Sequence, residues 1–299
     1  MNGLGAADAL PGVAGDYYGR ATRRLENAHC WIEVLSSGGP RIVGFGLRGS
    51  SNLLAEAPLT GWDSAYGHYD LLGGHRFWFA PECPECSVPD GEGLTMSAVP
   101  GGLRLVGAVQ MPTGLRKEIE VRLLPEGAGA AIRHGMTNQG LRTLELAPWA
   151  ITQLRLGGVA VVNLPPRPTA HSVAPNQVLA LWSYSTWTDE RLSLGERVLT
   201  VAGRPGPPFK IGCLSRTGSV GYMREGILFV KRFDPAVGAP HADMGTNTQI
   251  YCDEVSIEIE SLGPLVRLGP GDSVTHEERW ELREMDEGTD IATVAAATL

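Results

Sequence analysis

The chain has 299 residues, of which 43% are hydrophobic, and a formal net charge of −8. That acidity, with no basic cluster to offset it locally, argues against nucleic acid as a partner. No apolar run approaches the roughly 18 to 20 residues that a bilayer span needs, and MNGLGAADALPGVAGDYYGR at the start lacks both a basic opening and a sustained apolar stretch, so a cytoplasmic protein without membrane attachment is expected.

Along the chain the pattern is of strands. HCWIEVLSS, from His29, alternates apolar and polar residues and is the first clear one. DLLGGHRFWFAPE, Asp70 to Glu82, then sets two glycines beside His75 and Arg76 ahead of an aromatic run. It reads as a Gly-rich loop presenting two cationic-capable side chains. PECPECSVPD follows, with Cys83 and Cys86 in a C-x-x-C. That spacing suits zinc or redox chemistry, but a structural zinc site wants four ligands and the chain has no second pair. Five cysteines, an odd and scattered set, fit reduced thiols, so a Pro-rich loop and no metal are expected.

Further strands are predicted in GLRLVGAV, LRKEIEVRLLP, GAAIRHGMTN, ERVLTVAG, GILFVKRF, TQIYCDEVSIEIESL and THEERWELRE. The 39 Gly and 21 Pro are spread throughout, with no linker-like window and no repeat of fixed period. The expectation is one all-β domain over 1–299, with its core at about 22–286 and residues 1–20 and 287–299 as loosely held arms. An antiparallel sandwich of two large sheets is the natural architecture for such a chain.

Strand alternation then sorts the polar residues. In VSIEIESL it sends Val255, Ile257 and Ile259 to one side, and Ser256, Glu258 and Glu260 to the other. Two carboxylates about 6.5 to 7 Å apart on one face can raise each other's pKa toward the range of a general base, although the same pattern also describes a solvated sheet face. FVKRFDPAVGAPHADMGTNTQIY adds Lys231, Arg232, Asp243 and Asn247. Lys231 and Arg232 must point to opposite sides, so one of them can share a cleft with the carboxylates, and Lys231 is the expected one. Trp78 and Trp149 suit either core packing or a platform for the apolar face of a sugar ring. Trp62, Trp182 and Trp187 are weaker candidates for that platform.

Four segments resemble the galactose mutarotase-like superfamily of aldose 1-epimerases and their relatives. They are ENAHCWIEVLSSGGPRIVGFGLRGSSNLLAE, GGHRFWFAPE, TLELAPWAITQLRLGGVAVV and SIEIESLGPL, which together span most of Glu26 to Glu284. The resemblance is strongest to a branch carrying Gly-Gly-His-Arg and Glu-x-Leu-Gly-Pro. It implies a β-supersandwich with a concave sugar cleft and proton-transfer chemistry without a cofactor. One group takes the proton of the anomeric hydroxyl and another donates to the ring oxygen, so that the ring opens and recloses.

On that resemblance Glu260 matches the base. Trp149 stands about where mutarotases place a histidine, so His75 is the candidate acid. Arg76, Trp78, Trp149, Glu258, Lys231 and Asp243 are the expected substrate contacts, and the partner is a small-molecule sugar or sugar derivative. A second copy of the chain is a candidate partner too. Two alternatives stay open: a carbohydrate-binding protein without catalysis, and a lyase or hydrolase for a modified sugar that uses Glu258 and Glu260 as a pair.

Overall fold

A computed structural model describes residues 10–166, 173–286 and 288–299. Alternation builds its strands: in Leu115–Leu123 the side chains of Leu115, Lys117, Ile119 and Val121 are buried while those between them are partly exposed. The strands form two large antiparallel sheets. In spatial order the first runs Val13–Tyr17, Arg20–Glu26, Cys30–Leu35, Ile42–Leu47, His75–Ala80, Leu144–Arg155, Ser256–Leu262, Thr248–Cys252, Phe209–Cys213 and Leu179–Leu181, with Val266–Leu268 also paired to Leu144–Arg155. The second runs Leu192–Leu194, Val198–Ala202, Val159–Asn163, Ser219–Arg224, Ile227–Phe233, Ser273–Glu284, Gly129–Asn138, Leu115–Leu123, Gly102–Gln110 and Thr95–Val99. A separate hairpin pairs Glu56–Ser64 with Gly67–Gly73.

Between the sheets lies the apolar core, with Ile32, Phe45, Phe77, Ile257 and Ile259 from the first and Ile119, Ile132, Phe229 and Trp280 from the second. Trp280 is its hub, with ring centroids 5.4 Å from Phe45 and 5.3 Å from Phe229. Central strands of the first sheet are covered on both sides: every residue of Ser256–Leu262 is buried. Its outer face is therefore a second interior. The hairpin reaches that face through Tyr69, whose hydroxyl accepts from Trp78 Nε1 at 3.0 Å.

Gly73 and Gly74 let the hairpin turn into the His75–Ala80 strand at close quarters. Both have positive φ, and a Cβ would lie 2.2 Å from Ala55 O at Gly73 and 2.1 Å from Ile42 O at Gly74. The glycine pair thus serves backbone packing, and His75 opens a strand instead of riding a loop.

Described parts of both expected arms take regular structure. Val13–Tyr17 pairs with Arg20–Glu26, and Tyr17 donates its hydroxyl to Leu72 O at 2.5 Å. At the other end Asp290 caps a helix, Ile291–Thr298, accepting from Thr293 N at 2.9 Å. That helix docks through buried Val294 and Ala295, and Asn163 Nδ2 donates to Ala295 O at 3.0 Å. Residues 1–9 and 287 of the expected arms lie outside the described residues. No helix among the described residues is long and apolar enough to cross a membrane.

Candidate functional site

The outer face of the first sheet gathers its polar side chains at the centre. In register, Ile151 stands between Arg76 and Glu260, Gln249 lies beside Glu260, and Glu258 lies between Gln153 and Tyr251. Lys210 follows Tyr251, and Trp78 stands beside Trp149. Residues directly opposite one another in a sheet share a face, so these strands bring Arg76, Trp78, Trp149, Gln153, Lys210, Gln249, Glu258 and Glu260 together.

Two ion pairs cross this array diagonally. Arg76 NH2 meets Glu258 at 3.2 and 3.4 Å, and Lys210 Nζ meets Glu260 Oε2 at 2.9 Å. The same Oε2 accepts from Trp149 Nε1 at 2.6 Å. Aromatic rings flank the cations: Arg76 lies 4.7 Å from the Trp78 ring centroid, and Lys210 lies 4.5 Å from Trp149 and 4.8 Å from Trp182. The backbone N–H of Lys210 donates to Ser185 Oγ at 2.7 Å, which ties the Trp182–Ser185 segment to the sheet.

Much of this array is unsatisfied. Glu260 Oε1, Gln153 Oε1, Gln249 Oε1 and both Nε and NH1 of Arg76 are buried without a hydrogen-bond partner. Buried polar groups are nearly always paired, and each one left alone costs about 1–3 kcal/mol, so five on one face call for an explanation. Burial pushes the Glu258 carboxyl above the usual range, against the pull of Arg76 and with a push from Glu260. The phenol of half-exposed Tyr184 is also raised, by burial first and then by the nearby carboxylates of Glu260, Glu82 and Glu258.

His75 and Lys231 are corrections to the sequence reading. Neighbours on a strand face opposite ways, so with Arg76 on the outer face His75 points between the sheets, where it is fully buried. Its Nδ1 lies 2.9 Å from Thr152 Oγ1 and its Nε2 lies 2.8 Å from His134 Nε2. Lys231 is also fully buried between the sheets. Its Nζ reaches Glu278 Oε1 at 2.8 Å, Ala150 O at 2.9 Å, Thr152 Oγ1 at 3.1 Å and Ile259 O at 3.3 Å. Neither side chain shares a face with Glu260.

The inner cluster is closed on itself. His134 Nδ1 must donate to His276 O at 2.9 Å, which leaves its Nε2 to accept from His75 Nε2–H; His75 Nδ1 then accepts from the Thr152 hydroxyl. His276 Nε2 donates to Ser261 Oγ at 2.7 Å, Ser261 donates to Glu278, and Trp280 Nε1 donates to Glu278 Oε2 at 2.8 Å. Ligand atoms of His75, His134 and Glu278 do lie within 4.8 Å of one another, the spacing of a metal site. Their lone pairs are committed within the network, however, to Thr152, His75, Ser261 and Trp280, and the Lys231 ammonium already supplies the cation, so the residues fit a hydrogen-bond network better than a metal.

Asp243 reaches the outer array from its edge, where Gln249 Nε2 donates to its carboxylate at 2.8 Å. Asn247 instead holds loops, donating to Ser215 O at 2.9 Å and Pro235 O at 3.0 Å. Trp62 stacks on Tyr69 with centroids 4.9 Å apart, and Trp187 is exposed. Cys83 and Cys86 keep their sulfurs 3.9 Å apart, and among the described residues they join no cluster of three metal-ligating groups. Sequence reasoning missed Lys210, Gln153, Gln249 and Tyr184. Lys210 had one signal, as one of only three lysines in the chain.

No protein-family model matches the chain, and no curated protein matches it. Solved structures do match. A candidate aldose 1-epimerase from Klebsiella pneumoniae superposes with a TM-score of 0.59 at 10% identity, over 95% of this chain and 85% of that one. A galactose mutarotase-like protein from Lactobacillus casei gives 0.54 at 9%, over 88% and 100%. A TPR-domain containing protein from Parabacteroides distasonis gives 0.63 at 13%, over 92% of this chain and 48% of that one, so the chain spans about half of that protein's length. At such identities the likeness establishes the fold: the all-β, galactose mutarotase-like architecture of antiparallel sheets.

Proposed function

We propose that the protein binds a sugar on the outer face of its first sheet and interconverts the anomers of an aldose or sugar derivative, as an aldose 1-epimerase-like isomerase. The observation that carries this reading is the set of five unpaired atoms. Arg76 offers donors, while Gln153, Gln249 and Glu260 offer acceptors, and indole rings stand beside Arg76 and Glu260. A sugar hydroxyl both donates and accepts, so a ring bearing several of them answers such a mixed set, and its C–H face suits an indole.

Glu260 is the base of this reading. Trp149 and Lys210 hold Oε2, which leaves Oε1 as the atom to take the anomeric proton. With His75 turned inward, the proton for the ring oxygen comes from another group. The Tyr184 phenol, kept protonated by burial and three carboxylates, is the neutral donor at hand. Lys210 acts electrostatically, stabilising the negative charge of Glu260.

The test is anomer equilibration, followed by polarimetry or NMR exchange over a panel of aldoses, uronic acids and sugar phosphates. Glu260→Gln is expected to lower the rate on the order of 10²-fold or more. Among the described residues no imidazole shares the face with Glu260, which favours a second reading, a binding protein without turnover. Sugars that bind but never equilibrate faster with the wild type would select it.

A further inference from the structure

The 25 Lys and Arg of this chain include only three lysines, Lys117, Lys210 and Lys231, and all three are buried. Lys210 and Lys231 are each paired to a carboxylate. Lys117 is not: its Nζ makes no hydrogen bond or ion pair with any described residue and lies 5.6 Å from the Phe79 ring centroid. It is the one polar side chain in the inward row Leu115, Lys117, Ile119, Val121.

Backbone and cavity both single it out. In the neighbouring strand Val109 pairs with Arg116 and Val106 with Glu118, so Gly107 and Ala108 together face Lys117 in a bulge. Bulges of this kind re-aim a side chain and recur next to sites of chemistry. Lys117 lines a cavity of about 310 Å³ with Val88, Asp90, Gln110 and Pro112, open to solvent past exposed Tyr66 and Met111. The charged and titratable groups around its amine are Cys86, Asp90, Arg41 and Cys83. Burial brings the ammonium down to about 8; Cys86 and Asp90 oppose that shift and Arg41 adds to it.

We propose that Lys117 is a nucleophilic amine that condenses with small aldehydes entering this cavity. Its neutral nitrogen adds to the carbonyl carbon to give a carbinolamine. The C–O bond then breaks, the oxygen leaves as water with the two protons lost by nitrogen, and a C=N double bond remains; no oxidant or reductant takes part. An uncharged carbonyl suits the place, because Asp90 and Glu92 on the cavity wall repel anionic electrophiles. The proposal is independent of the aldose reading, since Lys117 belongs to the other sheet and contacts none of the residues around Glu260.

The intact protein is incubated with glycolaldehyde and sodium cyanoborohydride, whose hydride traps the imine, from pH 6 to 9. It is then cut with a Glu-specific protease and mapped by mass spectrometry. The adduct is expected on Lys117 roughly tenfold faster than on Lys210 or Lys231, with a rate that rises through a midpoint near 8. Lys117→Arg removes that adduct and leaves the other two lysines slow. The site map of the wild type stands by itself if the variant does not fold. Labelling of Lys117 no faster than of Lys210, or labelling confined to the α-amino group, overturns the proposal.

Discussion

Acid should strike the inner histidine network before anything else in the fold. Burial holds His75, His134 and His276 below the ordinary histidine range, His276 at about 3, while Glu278 pulls the other way. The His75–His134 contact, 2.8 Å between two Nε2 atoms, has room for a single proton. Unfolded histidine titrates near 6.5, above each folded value, so on acidification the unfolded chain takes up protons first. The contribution is therefore complete above pH 6.5 and is lost as the pH falls from there toward the folded values. Each histidine that stays neutral in the fold costs about 1.4 kcal/mol per pH unit below 6.5, so His75 and His276 cost about 3 kcal/mol between pH 7.5 and 5.5, and His134 adds to that. Against a typical net stability of about 5–15 kcal/mol, that is a large fraction. Urea unfolding at pH 7.5, 6.5 and 5.5 measures it, and His276→Gln should remove between about a third and a half of the slope. A free energy of unfolding that changes by less than about 1 kcal/mol over the range would mean that the folded network accepts protons, and the tautomer assignment would be wrong.

Two further outcomes separate the inner from the outer cluster. Lys231→Met leaves the Glu278 charge buried without its cation and should lower stability by about 3–5 kcal/mol in the same assay, whereas Lys231→Met with Glu278→Leu should recover much of the loss. Gln153→Leu removes an unpaired buried amide oxygen at the loss of one long hydrogen bond to Ser256 Oγ, so it should change stability by less than about 1 kcal/mol while weakening sugar binding in a fluorescence titration, whereas Gln249→Leu also gives up its bonds to Asp243 and Thr246 and should lower stability by about 1–3 kcal/mol.

Much of the fold was written in local alternation. The parity that sends Glu258 and Glu260 to one side and Ile257 and Ile259 to the other holds in the structure. The same rule separates His75 from Arg76, but only once Gly73 and Gly74 are understood to lead straight into a strand. Taken as a loop, the pair looked free to face one ligand together. For Lys231 and Arg232 parity predicted the separation and could not say which side was interior. What admits a lysine inside is Glu278, 47 positions away on the adjacent strand, together with carbonyls from two strands of the other sheet. No local pattern encodes that compensation. Helix Ile291–Thr298 did carry a signal, an Asp at the N-cap before an Ala-rich run, short enough to be passed over.

The two polar clusters lie on opposite sides of the same strands, and their satisfaction differs in kind. Inside, His75, His134, Thr152, Lys231, Ser261, His276 and Glu278 leave no buried side-chain polar atom unpaired, as a cluster whose task is to hold two sheets in register must. Outside, Glu260, Gln153, Gln249 and Arg76 keep unpaired atoms, with the Trp78 ring against Arg76 and the Trp149 indole donating to Glu260. A fold that can complete a seven-member network between its sheets has the means to complete another one strand-thickness away. On the proposed reading the incomplete network is the functional one, and its missing partners are the hydroxyl groups of a ligand.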